Sequence, residues 1–282
     1  MDSRHGRCAR FAVLALLLAS SMAAVGAEPW TVATYAYPAR DRAAAIRPLA
    51  NYLADRSGHP VQVRVLASPT ALVEALRKGE VDVAVPNLHG YLQARPGSDD
   101  IVALPVPAVP AEQADRYRAV IVTRADIASI EILERRAGQL RLVLVGRDSA
   151  SGGFVPAGQL RARGLSAASD FASLDYAGSH AAALQALVDG RADVVALAAD
   201  VYDAARPAGV RELWRSGPIP PGPLLCRQKG TVPCAAIAGW LLEAHARDRS
   251  VMAALRAGWP EFGDAVAFRR PDALSSEIVP AD

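Results

Sequence analysis

The chain has 282 residues, with 31 Lys and Arg against 29 Asp and Glu. A near-neutral balance without a Lys/Arg cluster gives no bias toward polyanions, so nucleic acid is not an expected partner. The length suits one large domain or two smaller ones.

The first informative segment is the N-terminus. Arg4, Arg7 and Arg10 precede the apolar run from Phe11 to Leu18, and small residues follow to Val25-Gly26-Ala27. A charged start, a short apolar stretch and a small-x-small end predict an export signal over 1–27, cleaved after Ala27. The run falls short of the ~20 residues a spanning helix needs. Cys8 precedes the run instead of closing it, which argues against a lipoprotein. Three of the 31 basic and one of the 29 acidic residues lie in 1–27, so residues 28–282 balance at 28 of each. Export would place Cys226 and Cys234 in an oxidising compartment, where an even pair predicts a disulfide. No His or acidic residue lies between or beside them to complete a zinc set.

Strand-like and helix-like segments then alternate. Thr31 to Tyr37, Val61 to Ala67, Val81 to Pro86 and Ile101 to Val109 read as strands, the last with prolines that suit an edge. Arg42 to Ser57 and Pro69 to Lys78 read as helices. The pattern restarts with strands at Arg118 to Thr123, Leu140 to Val145 and Ala192 to Ala198. Helices are expected at Ser129 to Ala137, Ser151 to Arg163 and Ser179 to Asp189. The run from Gly217 to Pro223 breaks regular structure. A strand at Leu224 to Arg227 and helices at Cys234 to Ala246 and Ser250 to Ala257 would follow. Such alternation predicts an α/β fold with mainly parallel sheets. One restart and a late return predict two lobes: 28–115 with the return segment 218–282, and 116–217. The hinge crossings would lie near 110–117 and 215–222. Residues 71–84 echo 183–196: each is a helix, a Gly, then a strand carrying Asp near its start. Any helix-Gly-strand unit can look this way, so the echo bears on architecture alone. Ligands of open α/β sheets bind beyond the carboxyl ends of the strands, which makes the cleft between the lobes the expected site.

Four segments could carry the binding chemistry. Val145 to Phe154 joins a strand to a helix. There Ser149 and Ser151 offer hydroxyls, while Gly152 lets backbone N–H groups approach a ligand. A helix N-terminus adds partial positive charge, and together these suit a tetrahedral oxyanion. The same residues also suit an ordinary serine N-cap. Gly178-Ser179-His180 precedes another helix, where His180 can donate to an oxyanion. Tyr35, Tyr37 and Tyr91 sit beyond strands of the first lobe and could close over an anion or serve as interior aromatics. Asp200 follows a strand and could hold a ligand amine or cap a helix. Catalytic signatures are missing: no nucleophile elbow, H-E-x-x-H or P-loop occurs, so no enzyme, cofactor or metal is expected.

In this order the segments resemble the phosphate/phosphite/phosphonate-binding proteins of ABC importers. Asp148-Ser149-Ala150-Ser151-Gly152 with Pro156 resembles that family's Asp-x-x-Ser-(Thr/Ala)-Ser-Gly turn, with a shortened approach. Gly178-Ser179-His180, Gly190-Arg191-Ala192-Asp193 and Pro218-Ile219-Pro220 match its later motifs. Glu74-Ala75-Leu76 and Gly79-Glu80-Val81-Asp82, leading to Tyr91, match its first-lobe pattern. The resemblance implies a type II periplasmic binding protein, a monomer serving an inner-membrane ABC permease, or a sensing module for a membrane receptor or sensor kinase. It implies that Ser149, Ala150, Ser151, Gly152 and His180 surround the oxyanion, with Ala150 where many relatives carry Thr. Aminoalkylphosphonate binders of this kind hold the amine with acidic residues. Asp200 falls near one such position, but Pro220-Pro221-Gly222-Pro223 offers none at the other. Phosphite, phosphate or a short alkylphosphonate is therefore the expected ligand.

Overall fold

The computed structural model describes residues 28–38, 40–94, 100–228, 230 and 232–271. The export signal expected over 1–27 lies outside them. In chain order the first elements are β1 (Trp30–Tyr35), α1 (Arg42–Ser57), β2 (Val61–Leu66), α2 (Pro69–Lys78), β3 (Val83–Ala84), α3 (Leu88–Ala94), β4 (Ile101–Ala103) and β5 (Val106–Pro107). The middle of the chain forms β6 (Ala119–Arg124), α4 (Ile130–Arg136), β7 (Arg141–Leu144), α5 (Val155–Ala162), β8 (Ser173–Tyr176), α6 (His180–Val188), β9 (Val194–Ala198), α7 (Ala199–Ala205) and β10 (Val210–Arg215). It ends with β11 (Leu225–Arg227), α8 (Cys234–Arg247), α9 (Ser250–Gly258) and β12 (Phe268–Arg269).

Two five-stranded sheets result, in the orders β2-β1-β3-β11-β4 and β10-β6-β9-β7-β8. β11 returns to the first sheet from beyond the Pro/Gly-rich run, as the late return segment predicts. The sheets are more mixed than the alternation suggests. Each holds two parallel and two antiparallel pairings, because β11 in one sheet and β6 in the other run against both neighbours. The single strand expected over Ile101 to Val109 is two. Pro105 lacks the N–H a ladder needs, so β4 ends at the edge of the first sheet and β5 pairs with β12.

Strand side chains alternate between two cores per sheet, as the period of two requires. Val32, Val83 and Cys226 face the core built by α1, α8 and α9. Ala33, Ala84 and Leu225 face the core that Leu72, Leu76 and Leu88 of α2 and α3 fill. In the second sheet Val120 and Val195 face α6, while Ile121 and Val194 face α4 and α5. The repeated unit has a concrete basis. Asp82 accepts the Thr31 N–H of the adjacent parallel strand at 2.7 Å, and Asp193 accepts the Arg141 N–H at 2.9 Å. Each carboxylate ties the head of one parallel strand to its neighbour.

Cys226 and Cys234 form the expected disulfide, which links β11 to the start of α8. Its sequence separation of 8 closes a short loop, so the loop-entropy term is about 2–3 kcal/mol. Cys226→Ser with Cys234→Ser should therefore lower unfolding free energy by about that amount. Denaturant titration checks it, and an unchanged midpoint would show that the bond adds nothing.

Candidate functional site

The carboxyl ends of both sheets open onto one cavity of about 830 Å³. β7 and β8 are parallel neighbours, so their following turns emerge side by side. Val145 fastens both. Its N–H donates to the Gly152 carbonyl, and its carbonyl accepts the Gly178 N–H, each at 2.8 Å. The first turn is one π-helical turn, Ala150–Phe154, which leads directly into α5. The helix expected from Ser151 thus begins with a wider turn. Ser149 caps it, accepting the Gly152 N–H at 3.1 Å. Ser179 caps α6, accepting the Ala182 N–H at 3.2 Å. Both hydroxyls still carry a proton to donate. The first N–H groups of each helix lack intrahelical acceptors, so partial positive charge from two helix ends converges on the cavity.

His180 is fixed in one tautomer. Its Nδ1 accepts the Ala198 N–H at 3.0 Å, which leaves the ring proton on Nε2. Burial pushes its pKa down to about 4, with Asp200 working in the opposite direction. It is therefore a neutral donor at physiological pH. The folded value lies below the usual ~6.5 of a free histidine, so the unfolded chain binds the extra proton first. Stability should be level above pH 6.5 and fall as pH drops toward 4. His180→Gln should flatten that part of the thermal-unfolding profile, and an unaltered profile would assign the acid sensitivity elsewhere.

The cavity wall includes Tyr35, Tyr37, Ser149, Ala150, His180 and Asp200 among the residues singled out from the sequence. Burial pushes the Tyr35 phenol up to about 12 and also raises that of Tyr37. Both phenols are therefore proton donors at neutral pH. Asp200 does not cap α7. It lies in that helix's first turn, with Ala198 at the cap, and accepts the Val201 N–H at 2.9 Å.

Three expected residues are not on the wall. Gly152 is buried beneath Val145. Ser151 is 0% exposed, and its Oγ shares a 2.8 Å hydrogen bond with the Tyr117 hydroxyl. Tyr91 packs into the core under α2 because it lies on the inward face of α3. Tyr117 supplies the lining phenol instead, from the crossing between the sheets, and burial raises its pKa as well.

Other wall residues gave no sequence motif. Thr70 and Asn87 both bond to Asp148 across the cavity. Glu261 arrives from the C-terminal segment, and its carboxyl is pushed up by burial with Arg42 opposing. Arg42, the first residue of α1, is 5% exposed. Among the described residues no group of three or more His, Cys, Asp or Glu could hold a metal ion, and no helix is long and apolar enough to cross a membrane.

Residues 32–266 match the family described as ABC transporter, phosphonate, periplasmic substrate-binding protein. The chain belongs to this family. Membership implies a periplasmic location, a small ligand and an ABC permease as partner; family members are transport components. No curated protein matches the chain. Among solved structures, XAC2383 of Xanthomonas citri, bound to chloride, is 23% identical with a TM-score of 0.68, over 86% of this chain and 92% of that one. The same protein has also been solved with ATP. A binding protein of a phosphonate ABC transporter from Pseudomonas aeruginosa is 16% identical with a TM-score of 0.65, over 90% and 84%. PhnD1 of Prochlorococcus marinus in complex with methylphosphonate is 15% identical with a TM-score of 0.65, over 89% and 95%. The architecture is the two-lobed type II periplasmic-binding-protein fold.

Proposed function

We propose that this periplasmic substrate-binding protein captures a small phosphorus oxyanion in the cavity and delivers it to its ABC permease. Phosphite, phosphate and short alkylphosphonates are the candidates. The observation that carries the reading is the convergence of two capped helix ends, at Ser149-Ala150 and Ser179-His180, beside a neutral histidine donor. Preorganised donors of this kind replace the hydration shell of an anion. Ser151 acts through Tyr117: when the serine donates to the phenol oxygen, the phenol proton is released for the ligand. The lobes are taken as 28–115 with 218–282, and 116–217, and hinge closure between them would bury the ligand.

Glu261 alters the weighing of ligands. The sequence offers no acid near Gly222, but Glu261 adds a carboxyl to the wall that Asp148 and Asp200 also line. An amine-bearing phosphonate therefore belongs in the test. Calorimetric titration of ligand-stripped protein with phosphite, phosphate, methylphosphonate and 2-aminoethylphosphonate should show one-to-one binding of at least one. Ser149→Ala should weaken that binding at least tenfold. No heat from any of the four would refute the reading.

A further inference from the structure

Arg42 occupies a position that stability alone does not explain. It is the first residue of α1, where the helix end already carries partial positive charge. It is 5% exposed, and no described carboxylate lies within ion-pair distance of it. Its Nε and Nη1 are buried without a hydrogen-bond acceptor. Three aromatic rings hold the guanidinium, with Cζ 4.1 Å from the Trp259 centroid, 4.4 Å from Tyr35 and 5.5 Å from Tyr37. A Cβ on Gly258 would come within 3.6 Å of its Cδ, so α9 also confines its stem. Cation–π contacts offset part of the lost hydration. Yet a buried charge without a counter-charge is costly unless a partner arrives. Glu261 on the same wall attracts the guanidinium, but the two form no ion pair, and Nε and Nη1 keep no acceptor.

We propose that Arg42 is a second anion subsite and that the ligand is a dianion carrying a carboxylate besides its phosphorus oxyanion, a phosphonocarboxylate. This rests on the reading of the cavity as a phosphorus-oxyanion site. The ring of Tyr37 neighbours both subsites. Its centroid is 5.5 Å from Arg42 Cζ and 6.4 Å from the His180 ring centroid, so the two groups stand no more than about 12 Å apart, and a hydrogen-bond contact of about 3 Å at each end takes up about half of that span. One or two carbons between phosphorus and carboxylate fit the remainder. A cavity of about 830 Å³ has room for such a molecule and far exceeds a bare oxyanion. Because Arg42 belongs to the first lobe and the helix-end donors to the second, a bridging dianion would also draw the lobes together.

The test compares phosphonoacetate, methylphosphonate and malonate on the ligand-stripped full chain by calorimetry. Wild type should bind phosphonoacetate at least tenfold more tightly than methylphosphonate. In Arg42→Met that ratio should fall to about one, and Arg42→Lys, which keeps the charge without the planar fork, should fall between. The ligand-free Tm of Arg42→Met should not drop, because the variant removes an unpaired buried charge of similar volume. If methylphosphonate binds and phosphonoacetate binds no better, the subsite is refuted while the oxyanion reading stands. If malonate alone binds, and Arg42→Met abolishes it, the subsite stands and the oxyanion reading falls. A ratio unchanged in Arg42→Met refutes the role of Arg42. Should that variant fail to fold, the wild-type ranking and Arg42→Lys decide.

Discussion

Gly153→Ala should abolish ligand binding and destabilise the protein by about 3 kcal/mol, the upper range for overpacking a tight interior. A Cβ at this position would fall far inside van der Waals contact distance of the Gly146 carbonyl oxygen and press on the Arg147 carbonyl. The obstruction is backbone, which cannot rotate aside as a side chain can. The same turn carries Ser149 and Ala150 on the cavity wall, and Val145 ties it to the second helix end at Gly178. Displacing it therefore moves both groups of donors. A loss of about 2–4 °C in Tm per kcal/mol is expected for a chain of this size. Gly138→Ala is the control, since nothing lies within 4 Å of a Cβ there. Thermal unfolding and calorimetry read both effects. Wild-type affinity in Gly153→Ala would show that the turn tolerates displacement and that the seat is built elsewhere.

The legibility of this protein follows from what is local in sequence. α1 and α2 begin and end where expected because Asp41 and Ser68 cap them and Gly58 and Gly79 end them in the left-handed conformation. The repeated helix-Gly-strand unit was visible because its Asp does the same work in each lobe, holding the head of a parallel strand. The turn at Asp148 to Gly152 was visible as a strand-to-helix junction with small residues. What escaped was weakly patterned or remote. α7 starts directly from β9 with no capping side chain, so nothing marks it, and with it Asp200 passes from cap to first turn. β8, Ser173–Tyr176, holds only four residues and was not expected as a strand. Of the three tyrosines only Tyr91 lies off the wall, for a geometric reason. No motif marks Tyr117 along the chain; the inward face of α3 buries Tyr91, and the path of the crossing brings Tyr117 to the wall. Arg42 and Glu261 come from opposite ends of the described chain and reach the same cavity wall because α1 and α9 pack together. No spacing rule reaches across that separation.

Asp148→Ala should weaken ligand binding by about tenfold while leaving the fold intact, because Asp148 joins the two lobes at the cavity. Its carboxylate accepts the Thr70 hydroxyl at 2.8 Å and the Thr70 N–H at 3.3 Å, and its carbonyl accepts the Asn87 amide at 2.8 Å. A hydrogen bond to a charged group contributes about 1.5–3 kcal/mol, and about 1.4 kcal/mol is a factor of ten in affinity. Affinity depends on the closed fraction, so if this contact forms on hinge closure, removing it weakens every ligand alike and raises the dissociation rate. The Asn87 bond reaches a backbone atom and survives the substitution, which keeps the effect partial. Thr70→Ala should act through the same contact. The double variant should then lose less than the sum of the two single losses, with a coupling of about 1 kcal/mol. Stopped-flow dissociation rates and X-ray scattering of the liganded state read the two consequences, faster release and a more extended average shape. Strict additivity of the two substitutions, with an unchanged scattering profile, would show that Asp148 and Thr70 do not hold the lobes closed. The ligand would then have to supply the closing energy alone, from the helix ends of one lobe and the groups it meets on the other.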